Sequence, residues 1–516
     1  MPSLERDGVA KQAFLDQVAA GKSFIPLWKC WPADLETPLT TWLKVGASSS
    51  HGALLESVEG GERIGRWSFV VSDPLWTLTN RGEQSERLWR DGRREQFEGN
   101  PFELVQQCLA PLSSSPVPGL PPVGQLFGFW GYELIRWIEP SVPVHPRSAD
   151  APPDGCWMLA DSLLVFDQVK RQITAVAYAD LSGAGGQEPL DPEAAYAAAA
   201  ARIEALEARM HEPLPAGVTP LQWHDKPATA IQATSNQTQA TFEQAVVRAR
   251  EHIAAGDVFQ LVLSQRLETT IQREPFELYR SLRMVNPSPY MAFFNFGGWH
   301  LIGSSPEVMV KAEPAADGTG AVKASLRPIA GTRPRGNNEA EDQALEADLL
   351  ADPKERAEHV MLVDLGRNDL GRVCQPGTVK VRDLMVIERY SHVMHIVSQV
   401  EGLLSQGKSV WDLLMASFPA GTVSGAPKIR AMQLVHAYEP DARGPYSGVY
   451  GAVDLAGALN TAITIRTMVV LPDPAGGWRV QVQAGAGLVA DSKPEAEYQE
   501  TLNKARGMLK ALACLQ

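Results

Sequence analysis

Cysteine is scarce in this chain. Its five cysteines, Cys30, Cys108, Cys156, Cys374 and Cys514, are odd in number, far apart and never in Cys-x-x-Cys spacing. That excludes a disulfide framework and a zinc-thiolate site, and leaves reduced thiols as the expectation. Long apolar runs are missing too: nothing approaches the roughly 18 apolar residues of a membrane span. Glu5, Arg6 and Asp7 interrupt any signal-peptide apolar core, so no membrane association is expected and a cytoplasmic location is. There is no excess of positive charge. With 47 Lys and Arg against 60 Asp and Glu, the net charge is −13, which argues against a nucleic-acid surface. An anionic ligand must therefore be met by a local cluster of cationic groups or by a metal. Neither a nucleotide P-loop nor an internal repeat is present.

What is there is a globular composition, 44% hydrophobic over 516 residues, enough for two or three domains or one intertwined unit. A change to Gly, Ser, Gln and Pro begins near Leu181, an alanine-rich helix is expected over 192–210, and a Pro, Thr and Gln-rich stretch runs to about Thr238. The expected organisation is a unit over 1–182, a linker over 183–238 and a second unit over 239–516. A first helix, up to about residue 22, is expected to bury Phe14, Val18 and Ala19. Leu54 to Val70 reads as two strands around a glycine-rich connection. Gly124–Glu133 and Asp161–Asp167 read as core strands, Thr241–Ala255 as a helix stopped by Gly256, and Asp257–Ser264 as a strand.

Two helices offer paired carboxylates. Asp352 followed by Pro353 is a helix start; Glu355 and Glu358 then share a face, with Met361, Leu362 and Leu365 as the expected buried side. Near the C-terminus, Ser492 and Glu495 read as a capping box, after which Glu497, Glu500 and Lys504 share a face. Oxygen-only ligands of this kind suit Mg²⁺, which takes one or two carboxylates plus an anionic substrate group. Taken singly, either motif reads better as a solvated helix face, and it is the surrounding stretches that favour the metal.

Four further stretches carry chemistry-bearing residues. Glu56, Ser57 and Arg66 put a carboxylate, a hydroxyl and a guanidinium on one local unit, suited to a ligand with both an amine and a carboxylate. Glu307 follows a proline at a strand end, where a carboxylate can leave the sheet and face a cleft. Arg327–Gly336 and Phe418–Lys428 are glycine-rich and cationic, and each reads as a possible anion loop, the second with Thr422, Ser424 and Lys428. Arg466 lies at the end of an otherwise apolar strand and calls for an anion. His395 falls on one face of a strand over 390–397 with Val393 and Val397.

Several long motifs in order then carry a resemblance. Pro328-Ile-Ala-Gly-Thr-Arg-Pro-Arg-Gly336, Ala357-Glu-His-Val-Met-Leu-Val-Asp-Leu-Gly-Arg-Asn-Asp369, Gly421-Thr-Val-Ser-Gly-Ala-Pro-Lys428 and Gln483-Ala-Gly-Ala-Gly487 make the second half similar to the chorismate-utilising enzymes. Leu54-Leu-Glu-Ser57 and Asn286-Pro-Ser-Pro-Tyr-Met291 narrow the resemblance to the large subunits of anthranilate synthases, over nearly the whole chain. It implies an α/β fold of the α+β type: antiparallel sheets packed face to face, helices outside, and two interlocked sequence halves. It implies Mg²⁺ on Glu358 and Glu500 with Glu355 and Glu497 nearby. Chorismate would be bound by Gly331, Thr332, Tyr446, Arg466, Gly485, Ala486 and Gly487, with Thr422 in the same cleft. Glu307 matches the general acid of the first step and His395 the histidine of the second, which releases anthranilate and pyruvate.

The same resemblance implies an inhibitor site for L-tryptophan at Ser57, Pro289, Tyr290 and Met291, with Glu56 and Arg66 as neighbours. Family members that use water carry a lysine where Gln260 stands, and aminodeoxychorismate synthases of the common type carry one where Ala330 stands. Both departures favour ammonia and release of anthranilate. The chain ends soon after the second glutamate helix, so the ammonia is expected from a separate glutamine amidotransferase subunit, in a heterotetramer. The rival readings are an aminodeoxychorismate synthase component and a non-catalytic tryptophan-sensing homologue, the latter disfavoured because Glu307, Glu358, His395, Arg466 and Glu500 are all present.

Overall fold

A computed structural model of the chain describes residues 8–57, 65–122, 124–183, 189–315, 320–389 and 393–516. Its frame is a pair of 12-stranded antiparallel sheets, each a path of 11 strands with one more paired off it: Gly425–Ala426 on Gln260–Ile271 in the first and Lys380–Arg389 on Val393–Leu403 in the second. The first runs from Phe24–Pro32 through Gln172–Asp180, Ser162–Asp167, Trp67–Ser72 and His51–Glu56, then Tyr290–Phe296, His300–Ser305, Thr467–Pro472, Trp478–Leu488, Gln260–Ile271 and Thr234–Ser235. The second begins with Ile329–Pro334, Val393–Leu403, Val322–Leu326, Val308–Pro314, Leu459–Ile463 and Val449–Val453. It continues through Leu126–Trp130, Gly155–Leu159, Trp76–Arg81, Gln84–Trp89 and Arg94–Glu98.

Each sheet crosses from one half of the sequence to the other at an internal rung. Leu55 pairs with Ala292 in the first sheet, and Tyr450 with Phe129 in the second. The halves are interlocked, as the α+β reading expected.

Strand alternation sorts the core. In Tyr290–Phe296, Ala292, Phe294 and Phe296 face the second sheet, where Phe296 meets Phe129 at 5.3 Å between ring centroids. Met291 and Phe293 face the other way, under the helices Pro192–His211, Pro275–Val285 and Pro494–Ala513. The alanine-rich helix buries Ala195, Ala199, Ile203, Leu206 and Met210, a stripe at three- and four-residue spacing that matches the small Ala175, Ala177 and Ala179 of the strand beneath. Every one of these fully covered side chains contributes roughly 25 cal/mol per Å² of apolar surface removed from water.

Several local expectations are corrected. Among the described residues the first helix spans Gly8–Ala19, residues 1–7 lying outside them; Phe14 is buried but Ala19 is exposed. The Thr241 helix spans Gln239–Ala254 and is capped by Thr238, and the following strand starts at Gln260. The helix Pro353–Gly371 starts at the Asp352 cap, yet its buried face is His359, Leu362, Val363, Gly366 and Leu370 rather than Met361 and Leu365. Ser492 forms no capping box: its hydroxyl accepts the Val489 N–H, and Pro494–Ala513 begins without a side-chain cap. The glycine-rich connection 58–64 and residues 390–392 of the histidine strand lie outside the described residues. No described helix is long and apolar enough to cross a membrane.

Candidate active site

The cleft is built where strand ends of both sheets meet three helices. Ser305 ends a strand, Pro306 cannot extend it, and the chain turns so that Glu307 projects away from the ladder. The Thr422 hydroxyl, on the short helix Gly421–Ser424, donates to Glu307 Oε1 at 2.9 Å. Burial pushes this carboxyl up to about 7, against the pull of the Thr422 hydrogen bond and the Lys504 charge. A carboxyl that keeps its proton near neutrality can give it to a leaving group.

Tyr446, Arg466 and the glycine strand form one wall. Gly485 and Gly487 share a face of Trp478–Leu488 and Ala486 takes the other, so the Ala486 methyl is fully buried in the core. A Cβ on Gly485 would lie 2.6 Å from the Tyr446 hydroxyl and 3.0 Å from the Leu263 carbonyl, and one on Gly487 would lie 3.0 Å from Gln260 Nε2, the movable end of that side chain. Burial raises the Tyr446 phenol to about 12, so it stays protonated as a donor. Arg466 is not on a strand. It lies between Leu459–Ile463 and Thr467–Pro472 with φ +50°, a left-handed conformation that strains a side-chain-bearing residue. Burial lowers its pKa, opposed by the Glu500 charge.

The carboxylate helices border the same space. Gln260 donates to Glu358 Oε1 at 3.1 Å, while its own side-chain oxygen is buried without a partner among the described residues. Glu355 is raised, first by burial and then by the adjacent Glu358 and Asp352 charges. Glu500 lies 3.5 Å from Lys504, which donates to the Gly485 carbonyl at 3.1 Å. Glu497, three residues before Glu500, is half-buried on the same helix. Among the described residues no group of three or more His, Cys, Asp or Glu forms a metal-binding cluster. The like-charged, partly buried Glu355 and Glu358 do form an all-oxygen set that a hard cation would relieve.

Gly331, at φ +73°, sits at a bulge between Ala330 and Thr332, and its Cα faces Glu355 so closely that a Cβ would lie 3.2 Å from the carboxylate. His395 Nδ1 is 3.0 Å from both the Gly331 carbonyl and the Thr332 hydroxyl. The carbonyl can only accept, so Nδ1 carries the proton and Nε2 is the basic nitrogen of the neutral ring.

Three expected anion-binding features are occupied by protein carboxylates. In the Arg327–Gly336 stretch, Arg327 pairs with Glu388, Arg333 with Asp348 and Asp352, and Arg335 with Asp342. This segment is a strand laid on acidic helices, not an anion loop. Lys428 is likewise committed to Asp369, at 2.9 Å, with both side chains largely buried. Arg66 forms a bidentate pair with Asp167 and does not reach the cavity beside Ser57.

That cavity, about 490 Å³, is bordered by Glu56, Ser57, Pro289, Tyr290 and Met291, as the sequence motifs suggested. Glu56 is less available than expected, since its carboxylate accepts from the Tyr279 hydroxyl at 2.5 Å and from Arg283 at 3.2 and 3.3 Å. The Ser57 hydroxyl is enclosed and has no partner among the described residues. Tyr279 and Arg283 were not singled out by sequence, whereas Lys504 was placed on the face of Glu497 and Glu500. Only Lys504 left a local signal, its four-residue offset from Glu500.

Residues 54–510 match the family model of the chorismate-binding enzymes. The chain is 57% identical over 503 residues to anthranilate synthase component 1 of Synechocystis sp., covering 97% of this chain and 98% of that one. It is 44% identical over 512 residues to the protein of that name from Pseudomonas aeruginosa, covering 98% of each. The crystal structure of anthranilate synthase component I from Streptococcus pneumoniae superposes with a TM-score of 0.74 at 34% identity, covering 86% of this chain and 92% of that one. The motifs, the interlocked sheets and these likenesses agree: the chain belongs to the chorismate-binding enzymes, in the anthranilate synthase component 1 family.

Proposed function

We propose that this chain converts chorismate and ammonia to anthranilate, pyruvate and water, as the large subunit of an anthranilate synthase of the lyase class. The observation that carries the reading is Glu307, a buried carboxyl held protonated near neutrality and oriented by Thr422 in a cleft that also holds Arg466, Tyr446 and two carboxylate helices. In the first step ammonia adds at C2 while Glu307 delivers its proton to the departing C4 hydroxyl, which leaves as water. In the second step the C2 proton and the enolpyruvyl group are lost, restoring the aromatic ring and releasing pyruvate. His395 Nε2 is the base assigned to that proton. Positioned proton transfer of this kind contributes about two to four orders of magnitude per group.

Arg466 and the Tyr446 hydroxyl are the assigned partners of the substrate carboxylates, with the backbone of Gly331, Thr332 and Gly485–Gly487 completing the cradle. Glu358 and Glu500, supported by Glu355 and Glu497, would hold Mg²⁺. When bound, that ion supplies charge neutralisation for the ring carboxylate. Gln260 is neutral and engaged with Glu358, so it offers no base to activate water, consistent with ammonia as the nucleophile. The ammonia source proposed is a separate glutamine amidotransferase subunit, and the working compartment the cytoplasm. The cavity at Ser57, Pro289, Tyr290 and Met291 is assigned to L-tryptophan as feedback inhibitor, a role supported by its volume and its unpartnered serine hydroxyl.

The test is the purified chain with chorismate, Mg²⁺ and an ammonium salt, followed by anthranilate fluorescence and pyruvate release with and without L-tryptophan. Anthranilate formation that needs the divalent ion and falls with tryptophan is the expected result. Chorismate consumed without anthranilate would overturn the reading.

A further inference from the structure

The cavity assigned to tryptophan and the catalytic cleft meet at one turn of the chain. In the turn after His300–Ser305, Pro306 and Val308 border the cavity, while Glu307 between them is held by the Thr422 hydroxyl on the cleft side. Pro306 ends the ladder, and the bend at Glu307 takes its side chain off the face that its neighbours present to the cavity. A force on one face of the turn is therefore felt by the carboxyl on the other.

One side chain from the opposite sheet is inserted at the root of this turn. Tyr450 leaves Val449–Val453, and its hydroxyl accepts the Ser305 N–H at 3.2 Å while donating to the Tyr290 carbonyl at 2.7 Å. Ser305 and Tyr290 are the paired residues of the last rung between Tyr290–Phe296 and His300–Ser305. A second hydroxyl spans the same rung: Ser288 donates to the Ser305 carbonyl at 2.8 Å and accepts the Tyr290 N–H at 3.4 Å. The end of the hairpin is thus stitched through two side-chain oxygens. The space for the phenol is reserved by Gly303, where a Cβ would lie 2.8 Å from the Tyr450 hydroxyl. Tyr450 is itself buried and borders the cavity.

We propose that Tyr450 is a positioning residue that links the occupant of the cavity to Glu307, by tying the inhibitor-contacting Tyr290 and the root of the Glu307 turn to a single phenol. The inference rests on the roles assigned above to Glu307 and to the cavity. Ligand binding that displaces Tyr290 changes the bond that Tyr450 makes to Ser305, two residues from the catalytic carboxyl. Allostery of this kind requires an element whose two arrangements the two sites favour differently, and a rung held by hydroxyl bridges can be rearranged without tearing a sheet.

The experiment compares the full chain with Tyr450→Phe, which keeps the ring and removes the bridge. With saturating chorismate, Mg²⁺ and ammonium salt, Tyr450→Phe is expected to lower kcat about tenfold with KM within about twofold. It should also shift the pH profile of kcat. L-Tryptophan, measured by calorimetry, should still bind, yet at saturation it should leave much of the activity in place. Gly303→Ala crowds the phenol without deleting a hydrogen-bonding group and should give the same uncoupling, which keeps the test open should Tyr450→Phe not fold. Variants inhibited completely by tryptophan, with the wild-type pH profile, would overturn the inference. A wild-type chain that forms no anthranilate, or ignores tryptophan, would instead overturn the assignments on which it rests.

Discussion

At the scale of single residues, protonation is the controlling variable. Glu307 is titrated between an ordinary 4.5 when unfolded and about 7 when folded. Below this window it is protonated in both states. Within it only the unfolded chain gives up the proton, so folding is progressively disfavoured as pH rises, and the full cost persists above about 7. Glu307→Gln is therefore expected to abolish anthranilate formation while stabilising the fold at pH 8 by on the order of 1–3 kcal/mol, read from the urea midpoint. An unchanged or lower midpoint would show that the carboxyl is not desolvated as described.

Thr422 acts on the same group with the opposite sign. Its hydroxyl favours the carboxylate, so Thr422→Val should move the Glu307 titration upward. The alkaline limb of kcat, measured at constant free ammonia, should move with it, because a general acid that holds its proton longer works to higher pH. A limb displaced toward acid would contradict the assignment.

At the scale of elements, the helix that carries Glu355 and Glu358 is set by its first residue. Asp352 accepts the Lys354 and Glu355 N–H groups and also pairs with Arg333 at 2.9 Å. Asp352→Ala is expected to cost about 0.5–2 kcal/mol, the usual worth of such a cap. It should also weaken Mg²⁺ dependence of activity severalfold, since Glu355 lies in the turn being loosened. Retention of both the unfolding midpoint and the Mg²⁺ titration would refute this. The cap was legible in sequence because an N-cap is a matter of a few consecutive residues. The second helix shows the limit of that logic: Ser492 and Glu495 have the right spacing, but the Ser492 hydroxyl is taken by Val489 of the preceding strand end.

At the scale of the whole molecule, the interlocking decides stability. The segment 183–238 separates the halves in sequence, yet the strand His51–Glu56 is hydrogen-bonded to Tyr290–Phe296 and Leu126–Trp130 to Val449–Val453. Residues 239–516 expressed alone would expose both of these edges together with the apolar faces that cover them. Unpaired strand edges of that kind aggregate. The piece is expected to be insoluble or to lack near-UV circular dichroism, and the intact chain to unfold in one transition seen alike by tryptophan fluorescence and far-UV dichroism. A monomeric, cooperatively folding 239–516 fragment would show that the halves are independent domains.

The sequence by itself determined what depends on neighbours along the chain: several of the strands and helices, the Asp352 start, the carboxylate pairs and the motifs shared with the chorismate-binding enzymes. It also placed Ser57 with Pro289, Tyr290 and Met291, although only through resemblance, since they come from opposite halves. Tertiary structure alone decided which charges are available. Arg327, Arg333, Arg335, Lys428 and Arg66 read as open cations until the fold supplied Glu388, Asp348, Asp342, Asp369 and Asp167. It alone decided the left-handed backbone of Arg466, the burial that protonates Glu307 and the reach of Tyr450 across two sheets. The physical reason is the same in each case. Backbone conformation is biased by adjacent side chains, whereas desolvation and ion pairing depend on atoms that are distant in sequence and become neighbours only on folding.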